Sequence, residues 1–445
     1  MKYLHILISI LIVFILPNCL MVHSQEGSKE PLARLWNINN DEIPKYLSIE
    51  KNLSIVDVTL KQFLDENNFG GTYVDVLQNM IFVYTLNFTR AEEIKKLPEI
   101  NPYVNILNFT GVSNSTFIMN RRFGDVSFIA SIHKPFCMSY IDSKINNIVI
   151  ISCQEDRNYS GNIRFERAIR GSALRPIFKY FTCIDNSTTN NNIPNINNLK
   201  LEKRNEIVIR ASGGDGVTLE NKVLDKRHLC TLGFWAKDDK NNDYFGLAAH
   251  CYIFNSSQPF LNSSQAFLTP WNSNNSHEIH IGEMFYRHEQ IDFGLIIKKN
   301  EEVKPEPFIR DSINTNLFIE DLIEVSSNGV HLCHSGINSH VECGYVETLN
   351  GFLARGEFGV FTDLILSNVI SFGGDSGGPV FSYKQDQKFA SLNGIHCFTK
   401  KNFINGTLSE SIGGYTTISS ILSSVSGTIN ITIPTVPKNQ QFDTL

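Results

Sequence analysis

The sequence predicts an α+β region over residues 25–185, followed by an all-β double β-barrel with a C-terminal helix over residues 207–431. Three observations predict this arrangement. The chain has 445 residues, too many for one ordinary domain and enough for two or three. From residue 207 onward, short β-rich runs recur between turns of Gly, Asn and Ser. Helical periodicity returns only at Ile418–Val425, and many short strands with one late helix are typical of barrels.

The first region contains two strand-like runs and a helix start. Residues 70–76 and 80–85 read as short strands around a Leu-Gln-Asn turn. Thr89 and Glu92 have the spacing of a capping box, which predicts that a short helix begins there. Strand, strand and helix together predict a small α+β domain. Cys137 and Cys153 flank β-rich runs and are candidates to pair, whereas Cys183 has no evident partner.

The two regions are joined by residues 186–206, which read as a linker. This stretch begins with an Asn-rich run that contains a proline and shows no periodicity. Lys203 and Arg204 follow, and a dibasic pair beside a linker predicts a processing site; the alternative is a solvated charge cluster. At the other end of the chain, residues 432–445 are expected to be a short tail of unknown use.

Composition argues for a folded chain that does not bind nucleic acid. The formal net charge is −6, and no dense run of Lys and Arg occurs. The hydrophobic fraction of 42% is sufficient for a real core.

The N-terminus predicts a secretory signal peptide over residues 1–24. Lys2 precedes a nearly continuous apolar run from Leu4 to Leu16, and cleavage is expected near Ser24. The alternative is a membrane anchor, but this run is shorter than the span of about 20 residues that a bilayer requires. We therefore expect a secreted, extracellular protein that is not bound to a membrane once the signal is removed.

The predicted secretory route affects cysteine and asparagine side chains. Cys19 leaves with the signal, and the eight remaining cysteines would meet oxidising conditions, so they should pair. The Asn-x-Ser/Thr pattern of glycan acceptors is frequent. It occurs at Asn52, Asn87, Asn108, Asn114, Asn158, Asn186, Asn255, Asn262, Asn274, Asn405 and Asn430.

The most informative motif is Gly-Asp-Ser-Gly-Gly-Pro at residues 374–379. Glycines around Ser376 let a substrate carbonyl approach the hydroxyl. They also allow the N–H groups of Gly374 and Ser376 to point at the oxygen that becomes negative during acyl transfer. The alternative is a glycine-rich turn with a hydrogen-bonding serine.

A nucleophilic serine needs a base, and the base needs an orienting carboxylate. His250 ends an apolar strand beside Cys251, and Asp292 begins a second apolar strand. A buried acid is costly unless it is paired, so a partner imidazole would explain Asp292. The competing acid is Asp243, and the competing bases are His280, His288 and His331.

These motifs resemble those of chymotrypsin-like serine proteases, most closely the streptogrisin and α-lytic branch. The resemblance covers about residues 207–431 and is weaker at residues 70–85, which are similar to the pro-domains of this branch. It rests on Ala-Ala-His-Cys at 248–251, Asp-Phe-Gly-Leu-Ile at 292–296, the motif at 374–379, Ser-Gly-Gly-Asp at 212–215, Cys-Thr-Leu-Gly-Phe at 230–234, Cys-His-Ser-Gly at 333–336 and Cys-Gly-Tyr-Val at 343–346.

The resemblance implies a serine endopeptidase with catalytic His250, Asp292 and Ser376. It implies an oxyanion hole formed by Gly374 and Ser376, with Asp375 shaping the loop through a buried ion pair. It also implies the disulfide bonds Cys230–Cys251 and Cys333–Cys343. Neither a metal nor an organic cofactor is expected. One departure is Ala249, where this branch usually has glycine.

The substrate pocket departs further from the branch. Its expected lining is Ile370, Ser371, Phe372, Gly373, His396, Cys397, Phe398 and Thr399. Residues 370–373 lack an acid, so a preference for Arg or Lys is not expected. A preference for medium or large apolar side chains is favoured. The alternative is an acidic preference, because glutamate-preferring relatives carry a histidine at the place of His396. Cys397 is expected to be a buried thiol, or alternatively to pair with Cys183 and tether the first region.

The expected partners are protein or peptide substrates and the chain's own pro-region, which would assist folding and inhibit the protease domain. A monomer is expected. One rival interpretation is a secreted protease homologue that binds partners without catalysis. Another is that the first region is an adhesive or targeting module that stays attached.

Overall fold

The computed structural model describes residues 29–183, 209–252, 264–269, 271, 279–312 and 315–437. The predicted signal peptide and the predicted linker with its processing site lie outside these residues. The chain divides after Ile43 into two units. The described part of the first unit holds helix α1 (Pro31–Trp36) and a 3₁₀ turn at Asn40–Glu42. Within it, the Glu30 N–H donates to Asn40 Oδ1 at 2.9 Å.

The second unit begins with the greater part of the predicted α+β region, from residue 44 onward. Its helices are α2 (Ile43–Lys61, which starts at the boundary), α3 (Phe88–Ile94), α4 (Thr116–His133) and α5 (Ser160–Arg170). Its strands are β1 (Phe69–Asp75), β2 (Met80–Thr85), β3 (Leu107–Gly111), β4 (Phe136–Asp142), β5 (Asn147–Cys153) and β6 (Ile177–Phe181). Strands β1, β2 and β3 form a small sheet of their own.

The start of helix α3 differs from the expectation. Asn87 is the N-cap, and its side chain accepts a hydrogen bond from the Arg90 N–H at 3.1 Å. The predicted capping box at Thr89 and Glu92 is therefore wrong, because Thr89 already lies inside the helix. Asn and Thr are both good N-caps, and the sequence offered both within three residues.

The rest of the unit is almost entirely β-structure. Its strands are β7 (Ile209–Gly213), β8 (Gly216–Asn221), β9 (Lys226–Thr231), β10 (Phe234–Asp238), β11 (Asp243–Ala248), β12 (Gln265–Thr269), β13 (Ile279–His288), β14 (Phe293–Lys298), β15 (Val303–Ser312), β16 (Thr315–Asp321), β17 (His331–Gly336), β18 (His340–Arg355), β19 (Val360–Ser367), β20 (Pro379–Tyr383), β21 (Phe389–Ile404), β22 (Thr407–Thr417) and β23 (Ile431–Thr432). Helix α6 (Ile418–Val425) follows β22, as expected, and is N-capped by Thr417.

These strands form two sheets, and the predicted all-β fold with a late helix is confirmed. The first sheet has the order β23-β10-β11-β14-β13-β12-β8-β9, and side chains from seven of its strands pack in one core. The second sheet contains β18, β17, β20, β21, β16, β15 and β7, with β19 and β22 joined to it. Catalytic candidates come from both sheets, so the site lies where they meet.

The second sheet continues into the first region of the chain. Strand β4 pairs antiparallel with β18, from Phe136 opposite Arg355 to Tyr140 opposite Gly351. Strands β5 and β6 extend the sheet beyond β4. Apolar side chains from both regions share one core, in which Phe123 contacts Phe352 with ring centroids 5.4 Å apart. The first region is therefore built onto the β-rich region by a shared sheet and a shared core.

Three disulfide bonds are present among the described residues. Cys230–Cys251 and Cys333–Cys343 are the two pairs named above. The third joins Cys153 to Cys183, so the proposed pairing of Cys137 with Cys153 is wrong. Parallel strands β5 and β6 are neighbours, which places Cys183 next to Cys153. Cys137 and Cys397 are buried free thiols, and the alternative Cys183–Cys397 tether does not form.

The C-terminal segment belongs to the fold as far as it is described. Strand β23 pairs antiparallel with β10, and the Val436 N–H donates to the Ile319 carbonyl at 2.8 Å. Ile433 and Val436 are buried. The predicted start of the tail at residue 432 is therefore too early, because the chain packs against the β-rich region up to about Pro437.

Candidate active site

His250 and Asp292 are brought together by two paired strands. Strand β11 leads into a 3₁₀ turn that contains His250, and β14 begins directly after Asp292. Ala248 of β11 lies opposite Phe293 of β14, so the two strand ends carry the candidate base and acid side by side. The backbone adds a further bond, since the Ala249 N–H donates to the Asp292 carbonyl at 3.0 Å.

The carboxylate of Asp292 makes two hydrogen bonds with His250. Oδ1 accepts from the His250 backbone N–H at 2.8 Å, and Oδ2 lies 2.7 Å from the ring Nδ1. Asp292 is buried, so its charge needs this partner. A carboxylate only accepts hydrogen bonds, which places the imidazole proton on Nδ1 and leaves Nε2 as a lone-pair acceptor. The His250 side chain is 29% exposed, so a substrate can reach it.

The backbone of Ser376 is fixed against the segment that carries His250. Its carbonyl accepts from the Thr231 N–H at 2.9 Å and lies 3.7 Å from Cys251 Sγ. Cys251, the residue after His250, is bonded to Cys230, the residue before Thr231 in β9. The disulfide therefore joins the two segments that contact the Ser376 carbonyl. Gly377 has φ +91°, and a Cβ there would come within 2.9 Å of the Ala248 nitrogen, so this approach requires glycine.

The loop before Ser376 leaves two N–H groups unengaged. The Gly374 carbonyl accepts from Thr231 Oγ1 at 2.8 Å, the Asp375 N–H donates to the Phe372 carbonyl at 3.1 Å, and the Gly377 N–H donates to the His396 carbonyl at 2.7 Å. Within the described part of the chain, the N–H groups of Gly374 and Ser376 have no hydrogen-bond partner. These are the two donors that an oxyanion hole needs. Thr231 belongs to the motif at 230–234, but its bond to the nucleophile loop was not among the sequence-based expectations.

Asp375 is fully buried and heavily hydrogen-bonded. Oδ1 accepts from the N–H groups of Asn338 and Ser339 at 2.9 and 3.1 Å, and Oδ2 accepts from the Phe372 N–H at 2.6 Å. His334 Nε2 lies 3.8 Å from Oδ2, and both side chains are buried. Burial alone would raise the pKa of Asp375. Its contacts with His334 and with these N–H groups outweigh burial and hold the pKa well below the usual range.

Three of the expected pocket residues converge on one point. Ser371 Oγ lies 2.9 Å from His396 Nε2 and is hydrogen-bonded to Thr399 Oγ1, which itself lies 3.3 Å from His396 Nε2. A β-bulge between His396 and Phe398 shifts the strand's phase, so His396 and Thr399 face the same side. Burial and the nearby His334 hold the pKa of His396 well below its ordinary value, so the ring is neutral.

The other expected pocket residues are placed differently. Cys397 Sγ lies 3.0 Å from Thr416 Oγ1, and burial together with the charge of Asp292 raises the pKa of this thiol. The ring of Phe398 packs over Gly414 and against a core shared with the first region. Cys397 and Phe398 therefore do not line the polar cluster, which corrects the predicted pocket. Ile370, Phe372 and Gly373 are exposed, and Lys401 Nζ lies 4.4 Å from the centre of the Phe372 ring.

The competing residues have other partners. Asp243 accepts a hydrogen bond from the Trp235 indole at 3.0 Å. His331 is paired with the buried carboxylate of Glu50 on α2. His280 makes an edge contact with Phe267, and His288 lies at the end of β13.

A cavity of about 450 Å³ lies beside His250 and Asp292. Its lining is rich in basic and aromatic side chains, including Lys226, Arg355 and Phe361. In the described ranges, one group of three His, Cys, Asp or Glu side chains lies close enough to share a metal ion, namely Cys153, Glu155 and Cys183. The two sulfurs of that cluster form a disulfide bond and are not thiolates.

No known family profile and no curated protein sequence matches this chain. Solved structures of proteases do match about half of it. Protease A of Thermobifida fusca is 18% identical, with 51% of this chain and 100% of that chain covered and a TM-score of 0.35. Chymotrypsin of Cellulomonas bogoriensis is 16% identical, with 51% and 100% covered and a TM-score of 0.34. A glutamic acid-specific serine protease described as using a histidine triad in substrate binding is 18% identical, with 50% and 100% covered and a TM-score of 0.38. At these identities the likeness concerns the fold and says nothing about activity.

Proposed function

We propose that this protein is a secreted serine endopeptidase, made as a zymogen, with His250, Asp292 and Ser376 as its catalytic residues. The observation that carries the proposal is the pair of His250 with the buried Asp292, with its Nδ1 contact of 2.7 Å, beside a serine loop that leaves the Gly374 and Ser376 N–H groups unengaged. A base, an orienting acid, a nucleophile and an oxyanion site are the parts that acyl transfer requires.

The reaction follows from these parts. Nε2 of His250 accepts the proton of Ser376 Oγ while the oxygen attacks the peptide carbonyl. Asp292 stabilises the resulting imidazolium, and the Gly374 and Ser376 N–H groups bind the oxyanion. His250 then donates the proton to the leaving amine, which gives an acyl-enzyme and the first product. A water molecule repeats the sequence on the ester and releases the acid product together with free Ser376.

The test is labelling and turnover of the secreted protein. The wild-type protein should react with a fluorophosphonate probe, and Ser376→Ala should abolish labelling and lower peptide hydrolysis by on the order of 10⁴–10⁶-fold. Ser423→Ala, an exposed serine on α6, is the matched control and should change neither. Unchanged peptidase activity in purified Ser376→Ala would refute the assignment. An unlabelled, inactive wild-type protein would favour a binding homologue instead.

The zymogen part of the proposal assigns residues 25–185 to a pro-region that assists folding and inhibits the enzyme. Support comes from the pairing of β4 with β18 and from the buried contact of Glu50 with His331. Cleavage within residues 186–206 would leave the pro-region bound by non-covalent contacts, since no described disulfide joins it to residues 207–431. The three disulfide bonds fit an oxidising, extracellular setting.

Secretion and glycosylation are part of the same proposal. Asn52, Asn108, Asn158 and Asn405 are exposed and could carry glycans. Asn430 is also exposed, but its Nδ2 donates to the Asp239 carboxylate. The side chains of Asn87 and Asn114 are engaged in hydrogen bonds within the fold. No helix among the described residues is long and apolar enough to cross a bilayer.

The pocket supports a preference for acidic side chains over the apolar preference that the sequence favoured. Ser371 Oγ, His396 Nε2 and Thr399 Oγ1 are hydrogen-bonded to one another. Each can instead donate one hydrogen bond to a carboxylate, and charged acceptors make the stronger bonds. An apolar side chain offers no acceptor and would make no hydrogen bond with these three groups.

A further inference from the structure

The turn between β17 and β18, residues 337–339, contacts the nucleophile loop at residues 373–375. The N–H groups of Asn338 and Ser339 donate to Asp375 Oδ1, and the Ile337 N–H donates to Thr231 Oγ1 at 3.1 Å. The side chain of Asn338 reaches further, since its Nδ2 donates to the Gly373 carbonyl at 2.5 Å. Asn338 is exposed, so this contact does not arise from core packing.

The bond to Gly373 fixes the direction of one peptide group. In a planar trans peptide, the carbonyl of Gly373 and the N–H of Gly374 point in opposite directions. With the carbonyl held at Asn338, the Gly374 N–H points away from the turn, where it has no partner among the described residues. The amide of Asn338 also packs against Gly374, since a Cβ on that residue would lie 2.6 Å from Nδ2.

Little else restrains this peptide. A Cβ on Gly373 would meet nothing within 4 Å, and Gly374 has φ +101°. Glycine populates positive and negative φ about equally, so a peptide between two glycines can rotate at low cost. Rotation would turn the Gly373 carbonyl to the side where the Gly374 N–H now points and would place an acceptor where the reaction needs a donor. Asn338 is the one side chain of the described residues that holds the Gly373 carbonyl.

We propose that Asn338 is a positioning residue for the oxyanion hole, because its amide holds the Gly373 carbonyl and thereby keeps the Gly374 N–H directed at the developing oxyanion. This inference rests on the proposed function, since it requires Gly374 to serve as an oxyanion donor. Loss of one such donor costs on the order of 10²–10³-fold in kcat. Without Asn338 the peptide still populates the productive orientation part of the time, so the expected loss is about 10–100-fold.

The experiment compares Asn338→Ala and Asn338→Asp with the wild-type enzyme after processing. The aspartate variant keeps the side-chain shape and the backbone bonds to Asp375 but places an oxygen against the Gly373 carbonyl. Both variants should lower kcat by about 10–100-fold and leave KM within about threefold, as expected for an interaction made only in the transition state. Affinity for a peptide aldehyde, whose adduct with Ser376 carries an oxyanion, should fall in parallel with kcat.

The matched control is Asn300→Ala. Asn300 Nδ2 also donates to a backbone carbonyl in the β-rich region, that of His280 at 2.9 Å, but it does so away from the nucleophile loop. This variant should keep kcat and aldehyde affinity. The inference is overturned if the wild type is active while both Asn338 variants keep its kcat and aldehyde affinity, or if Asn300→Ala loses as much as they do. An inactive wild type with no probe labelling would instead refute the proposed function. If Asn338→Ala fails to fold, Asn338→Asp alone decides between these outcomes.

Discussion

Replacing Glu50 by alanine is expected to weaken the junction between the first region and the β-rich region strongly. Glu50 lies on α2, and its carboxylate accepts the His331 backbone N–H at 2.6 Å and the ring Nδ1–H of the same residue. The Tyr383 N–H donates to His331 Nε2 at 2.9 Å, so a neutral ring carries its one proton on Nδ1, directed at Glu50. Both Glu50 and His331 are buried.

The magnitude follows from the two donors that the alanine leaves unpaired. A buried donor without a partner costs about 1–3 kcal/mol, so the free energy of unfolding should fall by about 2–6 kcal/mol. Glu50→Gln keeps one acceptor oxygen but turns an NH₂ group toward a donor, so it should lose about half as much. The expected loss is therefore far above that of an exposed pair, which is about 0–1 kcal/mol.

The assay is urea unfolding of the full-length chain carrying Ser376→Ala, which prevents self-cleavage. The midpoint should fall at an unchanged slope, because a change in stability alone does not alter the surface exposed. The matched control is Glu92→Gln, which removes an exposed carboxylate 2.6 Å from Lys95 on the same region and should cost less than about 0.5 kcal/mol. A loss for Glu50→Ala no larger than that of Glu92→Gln would show that the buried pair does not hold the junction.

Three further predictions concern pH, folding and specificity. Burial and His334 lower the pKa of His396 in the folded protein, so its contribution to stability is present above about pH 6.5 and is lost as the pH falls toward that lowered pKa. His396→Gln in the Ser376→Ala chain should therefore flatten the fall in unfolding free energy below pH 6.5. Parallel plots of unfolding free energy against pH for the two chains would contradict this. Residues 205–445 expressed alone should be inactive or insoluble and should gain activity when refolded with residues 25–185, whereas full activity without that region would refute the assisting role. A peptide library should show cleavage after Glu or Asp that Ser371→Ala reduces at least tenfold, and a profile dominated by apolar or basic residues would exclude the acidic pocket.

The sequence revealed the candidate catalytic residues because each is embedded in a local motif. Ser376 lies among glycines that a tight turn requires, and His250 and Asp292 stand at the ends of apolar strands whose pairing brings them together. The fold class was equally accessible, since short strands between turns recur throughout the second half of the chain. Each motif and each strand pattern involves residues that are neighbours in the sequence, so a single sequence is enough to recognise them.

What the sequence did not reveal depends on contacts between distant segments. Cys153 meets Cys183 only because β5 and β6 are parallel neighbours, and Glu50 meets His331 across 281 residues. The pocket was misjudged for a different reason. One bulge in β21 shifts the alternation of side chains, so Thr399 joins His396 while Phe398 turns to the core. The amino-acid composition of a strand does not reveal where such a one-residue bulge occurs, so the alternation expected from the sequence was out of phase after it.

The hairpin of β17 and β18 gives these observations a common physical basis. His331 at the start of β17 is bonded to Glu50 of the first region, and the end of β18 pairs with β4. The turn between the two strands holds Asp375 and the Gly373 carbonyl. Cys333–Cys343 further joins the two strands near that turn. The first region therefore contacts the start and the end of the hairpin whose turn orders the nucleophile loop. A pro-region that assists folding would act most directly by completing this hairpin, because the loop that carries Ser376 takes much of its order from it.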